Sequence, residues 1–308
     1  MMGRISSKTS TESLSNVERA MKTIELLSDA NDGLSISELA RQLNVNKSIA
    51  FRILNTLEEL RFVYRKSSTQ QYRLTFRISN LALRQMANSG LLDQSVPALR
   101  ELAERTGELV RLAIVENGRP IWVHAESGVQ RRLRIDPVYS HEITLHSLAT
   151  AKAWLFTLPE DRVDTLLGPG PFEAFTKYTL TTLRALKADL ARSRRCGFAI
   201  SYEEHELGVG TVAAPIMIPG FDGRFECVGV VSVAAPTSRV DRTSSTQNGQ
   251  LVIATAEHLA AAWPRRLLSE GTLLSGSSSD RLYRSANVAA KRSNQISRAL
   301  GGPIDVPD

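Results

Sequence analysis

Between residues 17 and 75 two helical rhythms, a three-residue break and a pair of strand-like runs follow one another in an order that few small folds accept. Val17, Ala20, Met21, Ile24 and Leu27 recur at the spacing of one helix face. Asn31-Asp32-Gly33 ends that run. Ser35, with Glu38 three residues on, forms a capping box that opens a second helix, with Ile36, Leu39, Ala40 and Leu43 as its apolar face. After Asn44-Val45-Asn46 the spacing predicts a third helix over about 47–60, burying Ala50, Ile53, Leu54 and Leu57. Two short runs, 62–66 and 71–75, flank the polar stretch Ser67-Ser68-Thr69-Gln70 and read as a β-hairpin. Helix, helix, short turn, helix, hairpin is the order of a winged helix-turn-helix.

The polar side of the third helix has the chemistry to read DNA. Ser48, Arg52, Asn55 and Glu59 share one face opposite the core residues. Arg can pair bidentately with guanine and Asn with adenine. Lys47 sits at the helix start, within reach of phosphate, and Arg65, Lys66 and Arg73 in the hairpin are placed for backbone contacts that position without reading sequence. Charge agrees: residues 1–75 hold 11 Lys and Arg against 8 Asp and Glu, half of the chain's net +6. The expected partner is double-stranded DNA, and with one reading helix per chain a two-fold dimer would meet a pseudo-palindromic operator with half-sites about one helical turn apart.

At 308 residues the chain has room for about two domains. Residues 1–13 read as a flexible tail, 14–76 as the winged helix-turn-helix and 77–93 as a connector helix. Residues 94–268 read as a second domain, and 269–308, Ser/Gly-rich at its start, as a flexible tail. In the second domain Asn117-Gly118 joins strands 109–115 and 120–124 in a tight hairpin. A further hairpin pairs 212–218 with 226–233, and helices are expected near 148–157, 182–194 and 250–263. The elements do not alternate as βαβ units, so the fold class is α+β, an antiparallel sheet with helices packed on it. No run of about 18 apolar residues or secretory h-region is present, and two cysteines, Cys196 and Cys227, form no disulfide framework. A cytoplasmic protein without membrane contact is expected.

Several motifs, in order, resemble the IclR family of bacterial transcriptional regulators. In the first domain they are Val17-Glu18-Arg19-Ala20, Leu34 to Ala40, Lys47-Ser48, Arg52-Ile53-Leu54 with Leu57, Phe62-Val63-Tyr64 and Tyr72-Arg73-Leu74. In the second they are Leu145-His146 with Ala149, Lys152 and Ala153, then Gly197-Phe198-Ala199, Glu203-Glu204, Gly208-Val209, Ala213-Ala214-Pro215, and the strand from Ser232 to Ala235-Pro236-Thr237-Ser238-Arg239. The resemblance spans about residues 14–268. It implies a GAF-like effector domain, a homodimer or homotetramer, and a pocket for a small, usually carboxylate-bearing metabolite that modulates operator binding. By matching motif positions that pocket takes in Ala149, Thr150, Ser201, Thr211, Ser232 and Ala234. The chain departs from the family at Ser201-Tyr202, where Asp is frequent, at Thr211, where Cys is frequent, and at Leu148 and Ala151. A relative's ligand therefore does not carry over.

The hydroxyls of Ser201, Thr211 and Ser232 can donate to a carboxylate, and Gly208 and Gly210 between the first two can bring backbone N–H groups to an anion. Glu203-Glu204-His205-Glu206 looks metal-like, but adjacent residues converge poorly on one ion, so it reads as a loop beside the pocket with no metal. His146 has no nucleophile motif beside it and reads as a structural histidine capping the next helix. Arg131, Arg132 and Arg134 read as a solvated strand face. No Walker or dinucleotide fingerprint is present, so no cofactor is expected. The competing readings are a small-molecule enzyme with an accessory helical domain, which requires a nucleophile–base pair in the pocket, and a winged helix that binds protein.

Overall fold

The computed structural model describes residues 8–128, 134–136, 143–220, 223–240 and 242–264, the side chains of 8–15 and 242–244 excepted. They divide into two compact units on either side of Asn88 and Ser89. The expected tail 269–308 lies outside the described residues, as do Arg131 and Arg132. Of the expected tail 1–13, residues 1–7 lie outside. The remainder is helical, because helix α1 runs Lys8–Asp29, ahead of the first apolar residue of the period. A helix propagates by backbone hydrogen bonds and needs no buried face to extend a turn or two.

The first unit opens with three helices and a hairpin, α1, α2 (Ile36–Gln42), α3 (Lys47–Glu59), β1 (Val63–Arg65) and β2 (Tyr72–Leu74), and ends in a fourth helix. The Ser35 capping box is complete, its hydroxyl accepting from Glu38 N and the Glu38 carboxylate from Ser35 N. Asn46, read from sequence only as part of a break, caps α3 by accepting from Ile49 N at 2.9 Å. The core holds Leu27, Leu39, Ala40, Ala50, Ile53, Leu54, Leu57, Val63 and Tyr72. On α1 the expected face is only partly covered: Leu27 is buried, but Val17 and Met21 are exposed. Gly33 lets the α1–α2 turn pass against β2. Its φ is +82°, and a Cβ there would meet Tyr72 O at 2.5 Å. Helix α4 (Arg77–Ser89) follows the hairpin, buries none of its residues, and stops before Gly90, whose φ is +67°.

The second unit begins with α5 (Leu91–Thr106), then β3 (Leu109–Glu116) and β4 (Arg119–Ser127). Asn117 and Gly118, both at positive φ, make the two-residue turn between them. Helices α6 (Ala149–Leu155), α7 (Glu160–Leu167) and α8 (Leu183–Cys196) follow, then β5 (Ala199–Tyr202), β6 (Val209–Pro219), β7 (Phe225–Pro236) and α9 (Arg242–Ala261). The strands form one antiparallel sheet in the order β4-β3-β7-β6-β5. Helix α7 and strand β5 have no counterpart in the sequence reading. α7 has one buried residue, Val163, and β5 is four residues long, too little of either period to stand out.

The sheet is covered on both faces. Large aliphatics, Val110, Leu112, Val212, Ile216, Val231 and Val233, pack with α5 and α9 on one side. On the other, Ala113, Ala199, Ala213 and Val230 pack with α6 and α8.

A buried cation ties the second layer together. Lys152 of α6 is fully buried, its Nζ 2.6 Å from both Glu204 carboxylate oxygens and 3.0 Å from Asp189 Oδ2 of α8. It also donates to Ile200 O of β5 at 3.4 Å. Arg192 pairs with Asp189 from the next turn of α8. Burial pushes the Glu204 carboxyl up to about 7, with Lys152 pulling it back. Just before β3, buried Glu108 is clamped by Arg239, from beyond the end of β7, through two bonds of 2.6 and 2.8 Å. Removing one partner of a buried ion pair leaves an uncompensated charge and costs about 3–5 kcal/mol. Lys152→Met is therefore expected to lower unfolding stability by about that amount. Urea denaturation checks this, and a loss under about 0.5 kcal/mol, the size of a surface substitution, would contradict it.

Candidate DNA interface and effector pocket

Helix α3 presents Lys47, Ser48, Arg52 and Asn55 to solvent, as the helical spacing predicts. Asn55 Nδ2 leans on Glu59 Oε1 at 3.4 Å, and the two acidic side chains of the helix, Glu58 and Glu59, stand at its C-terminal end. Phe51, unremarked in the sequence reading, is also exposed on this helix.

In the hairpin, Arg65 is exposed with its guanidinium over the Tyr72 ring, 5.6 Å from the centroid, and Lys66 is half-buried. Arg73 departs from expectation. Its Nε donates to Asp32 O at 3.0 Å, and a terminal nitrogen donates to Asp32 Oδ1 at 3.1 Å. Those bonds hold the α1–α2 turn against the hairpin and commit the inner edge of the guanidinium.

The second unit contains a cavity of about 420 Å3, whose lining includes Arg111, Trp122, Leu148, Ser201, Thr211 and Ala234 on the α6 side of the sheet, His205 and Glu206 from the loop after β5, and Asp136, itself paired with Arg134. Register brings the sheet residues together: Ser201 of β5 pairs with Thr211 of β6, and Thr211 with Ala234 of β7. Three of the six residues expected at a pocket thus line the cavity. Ala149 and Thr150, in the first turn of α6, are buried in the core and do not line it. Ser232 pairs with Arg111 on the neighbouring strand and is also sealed from the cavity. The glycines supply no anion cradle. Gly208 N donates to Glu203 Oε1 at 2.6 Å, and Gly210 is paired on both sides in the sheet.

The run Glu203 to Glu206 points four ways. Glu203 closes its own loop onto Gly208, Glu204 is bound by Lys152, His205 Nδ1 lies 2.9 Å from Ser147 Oγ, and Glu206 borders the cavity. His146 does not cap α6, whose N-cap residue is Leu148 without a side-chain bond. Its Nε2 donates to Glu173 O at 2.8 Å, and its ring stacks on Phe172 and Phe175.

Ser147 and His205 are a hydroxyl and an imidazole in contact, the pairing an enzyme would need. Ser147 is fully buried and does not line the cavity, and its carbonyl accepts from Ser201 Oγ at 2.6 Å. A substrate in the cavity does not reach that hydroxyl. The pair instead fixes the His205 ring at the wall, with Phe175 against it, ring centroids 4.6 Å apart.

Arg111 and Trp122 were missed as site residues, while His205 belongs to the run that the sequence placed as a loop beside the pocket. Arg111 stacks on Trp122, 5.1 Å from the ring centroid. Its signal was present: it is the one charged residue within Leu109–Val115, an otherwise apolar run. Two other cavities are smaller. One of about 200 Å3 lies between β6 and α9, among Ala214, Met217, Ile253, Ala256 and Ala260, on the face that carries none of the expected site residues. One of about 150 Å3 lies by Glu108 and Arg134. Both cysteines are buried and free, and burial raises both thiols, Cys227 to about 12.

Residues 16–67 match the IclR helix-turn-helix domain, and residues 84–261 match the C-terminal domain of the bacterial transcriptional regulator IclR. The HTH-type transcriptional repressor AllR of Klebsiella pneumoniae is 28% identical over 80% of this chain and 89% of its own. A solved IclR transcriptional regulator from Silicibacter sp. TM1040 superposes with a TM-score of 0.66 at 28% identity, covering 82% of this chain and 96% of its own. The fold is shared with an IclR homologue of Microbacterium hydrocarbonoxydans solved with 4-hydroxybenzoate, at a TM-score of 0.62 and 20% identity, over 81% and 98% of the two chains. This chain, with its DNA-binding winged helix-turn-helix and its α+β C-terminal domain, belongs to the IclR family of bacterial transcriptional regulators.

Proposed function

We propose that the chain is a one-component regulator whose operator affinity responds to a small carboxylate held in the cavity of its C-terminal domain. The observation that carries this reading is Arg111: a guanidinium stacked on Trp122, lining a cavity that also offers the hydroxyls of Ser201 and Thr211. A guanidinium recognises a carboxylate in its own plane through paired N–H groups. The Thr211 hydroxyl can donate to complete the oxygen's shell, whereas Ser201 has its proton on Ser147 O and donates nothing to a carboxylate. The 4-hydroxybenzoate complex of the Microbacterium homologue supports a carboxylate in this fold without fixing its identity here.

On the DNA side the reading assigns base contacts to Ser48, Arg52 and Asn55, and phosphate contacts to Lys47, Arg65 and Lys66. Arg73 acts as the latch to Asp32. The protein works as a homodimer, or as a homotetramer of two such dimers, on a pseudo-palindromic operator. Exposed Phe76, Leu81 and Leu83, at and within α4, supply apolar surface for self-association. Effector binding changes operator affinity by favouring one arrangement of the paired reading helices.

Three outcomes test this. Arg52→Ala should cost about 1–3 kcal/mol and relax specificity at one base position in a binding-site selection; unchanged specificity removes Arg52 from base reading. Lys66→Ala or Arg65→Ala should weaken all sequences alike and flatten the salt dependence by about one phosphate contact. A loss confined to one base position would show that the hairpin reads sequence. Thr211→Trp, which fills the cavity, and Arg111→Ala should both retain operator binding and lose the effector response, a shift of roughly 5–150-fold in the unaltered protein. If either variant responds fully in a titration of operator with and without effector, the ligand binds elsewhere.

A further inference from the structure

Helix α3 carries one feature that the polar contacts leave unexplained. Phe51 is 47% exposed in the middle of the helix. Its neighbours one turn away, Lys47 and Asn55, are exposed and polar, as are Ser48 and Arg52 beside it. The buried stripe of the helix is Ala50, Ile53, Leu54 and Leu57, and Phe51 belongs to the flank beyond it. A phenyl ring standing alone among polar side chains is a poor docking surface for another protein, which would need a contiguous apolar patch. It is well suited to one apolar group presented inside a polar groove. The DNA major groove has one such group, the C5 methyl of thymine, and aromatic side chains make that contact.

We propose that Phe51 is a specificity residue that packs on a thymine methyl in each half-site, next to the bases read by Arg52 and Asn55. The inference rests on the assignment of α3 as the reading helix. It adds a preference for the thymine methyl, a group that hydrogen bonds from the polar residues of the helix do not read. The contact is worth about one buried methyl, roughly fourfold in affinity per half-site.

The test is a methyl deletion on both partners. An operator is first obtained by binding-site selection with the full chain. Each thymine in it is then replaced by uracil, which keeps every hydrogen-bonding group and removes only the methyl. One thymine per half-site is expected to lose roughly fourfold in affinity on replacement. With Phe51→Ala, the same replacement should have no effect, and selection should no longer prefer thymine there. Phe51→Leu, which keeps an apolar contact, should retain part of the preference. If no thymine is sensitive to uracil, or if sensitivity is unchanged in Phe51→Ala, the proposal is overturned. It is equally overturned if Phe51→Ala alters the oligomeric state, because the ring then serves a protein contact. Failure of Arg52→Ala to relax specificity would instead strike the assignment of the helix itself.

Discussion

The ammonium of Lys152 is the point on which the effector side of the molecule depends. One buried cation meets Glu204 from the loop after β5, Asp189 from α8 and the carbonyl of Ile200 from β5. Of those elements, β5 and the loop after it line the cavity, through Ser201, His205 and Glu206, and α8 stands behind them. Ser201 and His205 flank Glu204 in sequence, and both are held by Ser147, three residues into the segment that leads to α6 from Thr144. A charge buried this deeply is stable only while all its partners are in place. The loop that borders the cavity is thereby fixed from behind, by groups that do not line it.

The room for a ligand comes from an asymmetry in side-chain size. The face of the sheet toward α5 and α9 is filled by valine, leucine and isoleucine, which leave little space. The opposite face carries Ala113, Ala199, Ala213, Ser201, Thr211, Ser232 and Ala234. Small residues on adjacent strands lower the floor, and Arg111 with Trp122 stands at its edge. The result is a concave, mixed-polarity space on a rigid sheet, the usual setting of a small-molecule site.

Much of this architecture was legible in sequence where a strict period or a local hydrogen-bonding motif set it. The Ser35–Glu38 box, the Asn117-Gly118 turn and the core face of α3 are read from a handful of residues each and appear as expected. Less legible was whatever depends on neighbours far along the chain. Arg73 looks like a phosphate contact until Asp32, across the fold, takes its guanidinium. Ala149, Thr150 and Ser232 match family positions, yet here they pack into the core, since exposure to a cavity is a property of the whole face. Arg111 joins the site only because sheet order and register bring strand β3 to the same cavity as β5.

The central claim is that ligand in the C-terminal cavity and DNA on α3 are coupled in one chain. Linkage makes that coupling reciprocal. The direct measurement is calorimetric titration of a carboxylate, identified from a panel, into the free protein and into its operator complex. The account predicts two affinities whose ratio equals the ratio of operator affinities without and with that carboxylate, and lies within roughly 5–150-fold. Equal affinities for the free and operator-bound protein, or a panel from which no carboxylate binds, would contradict it.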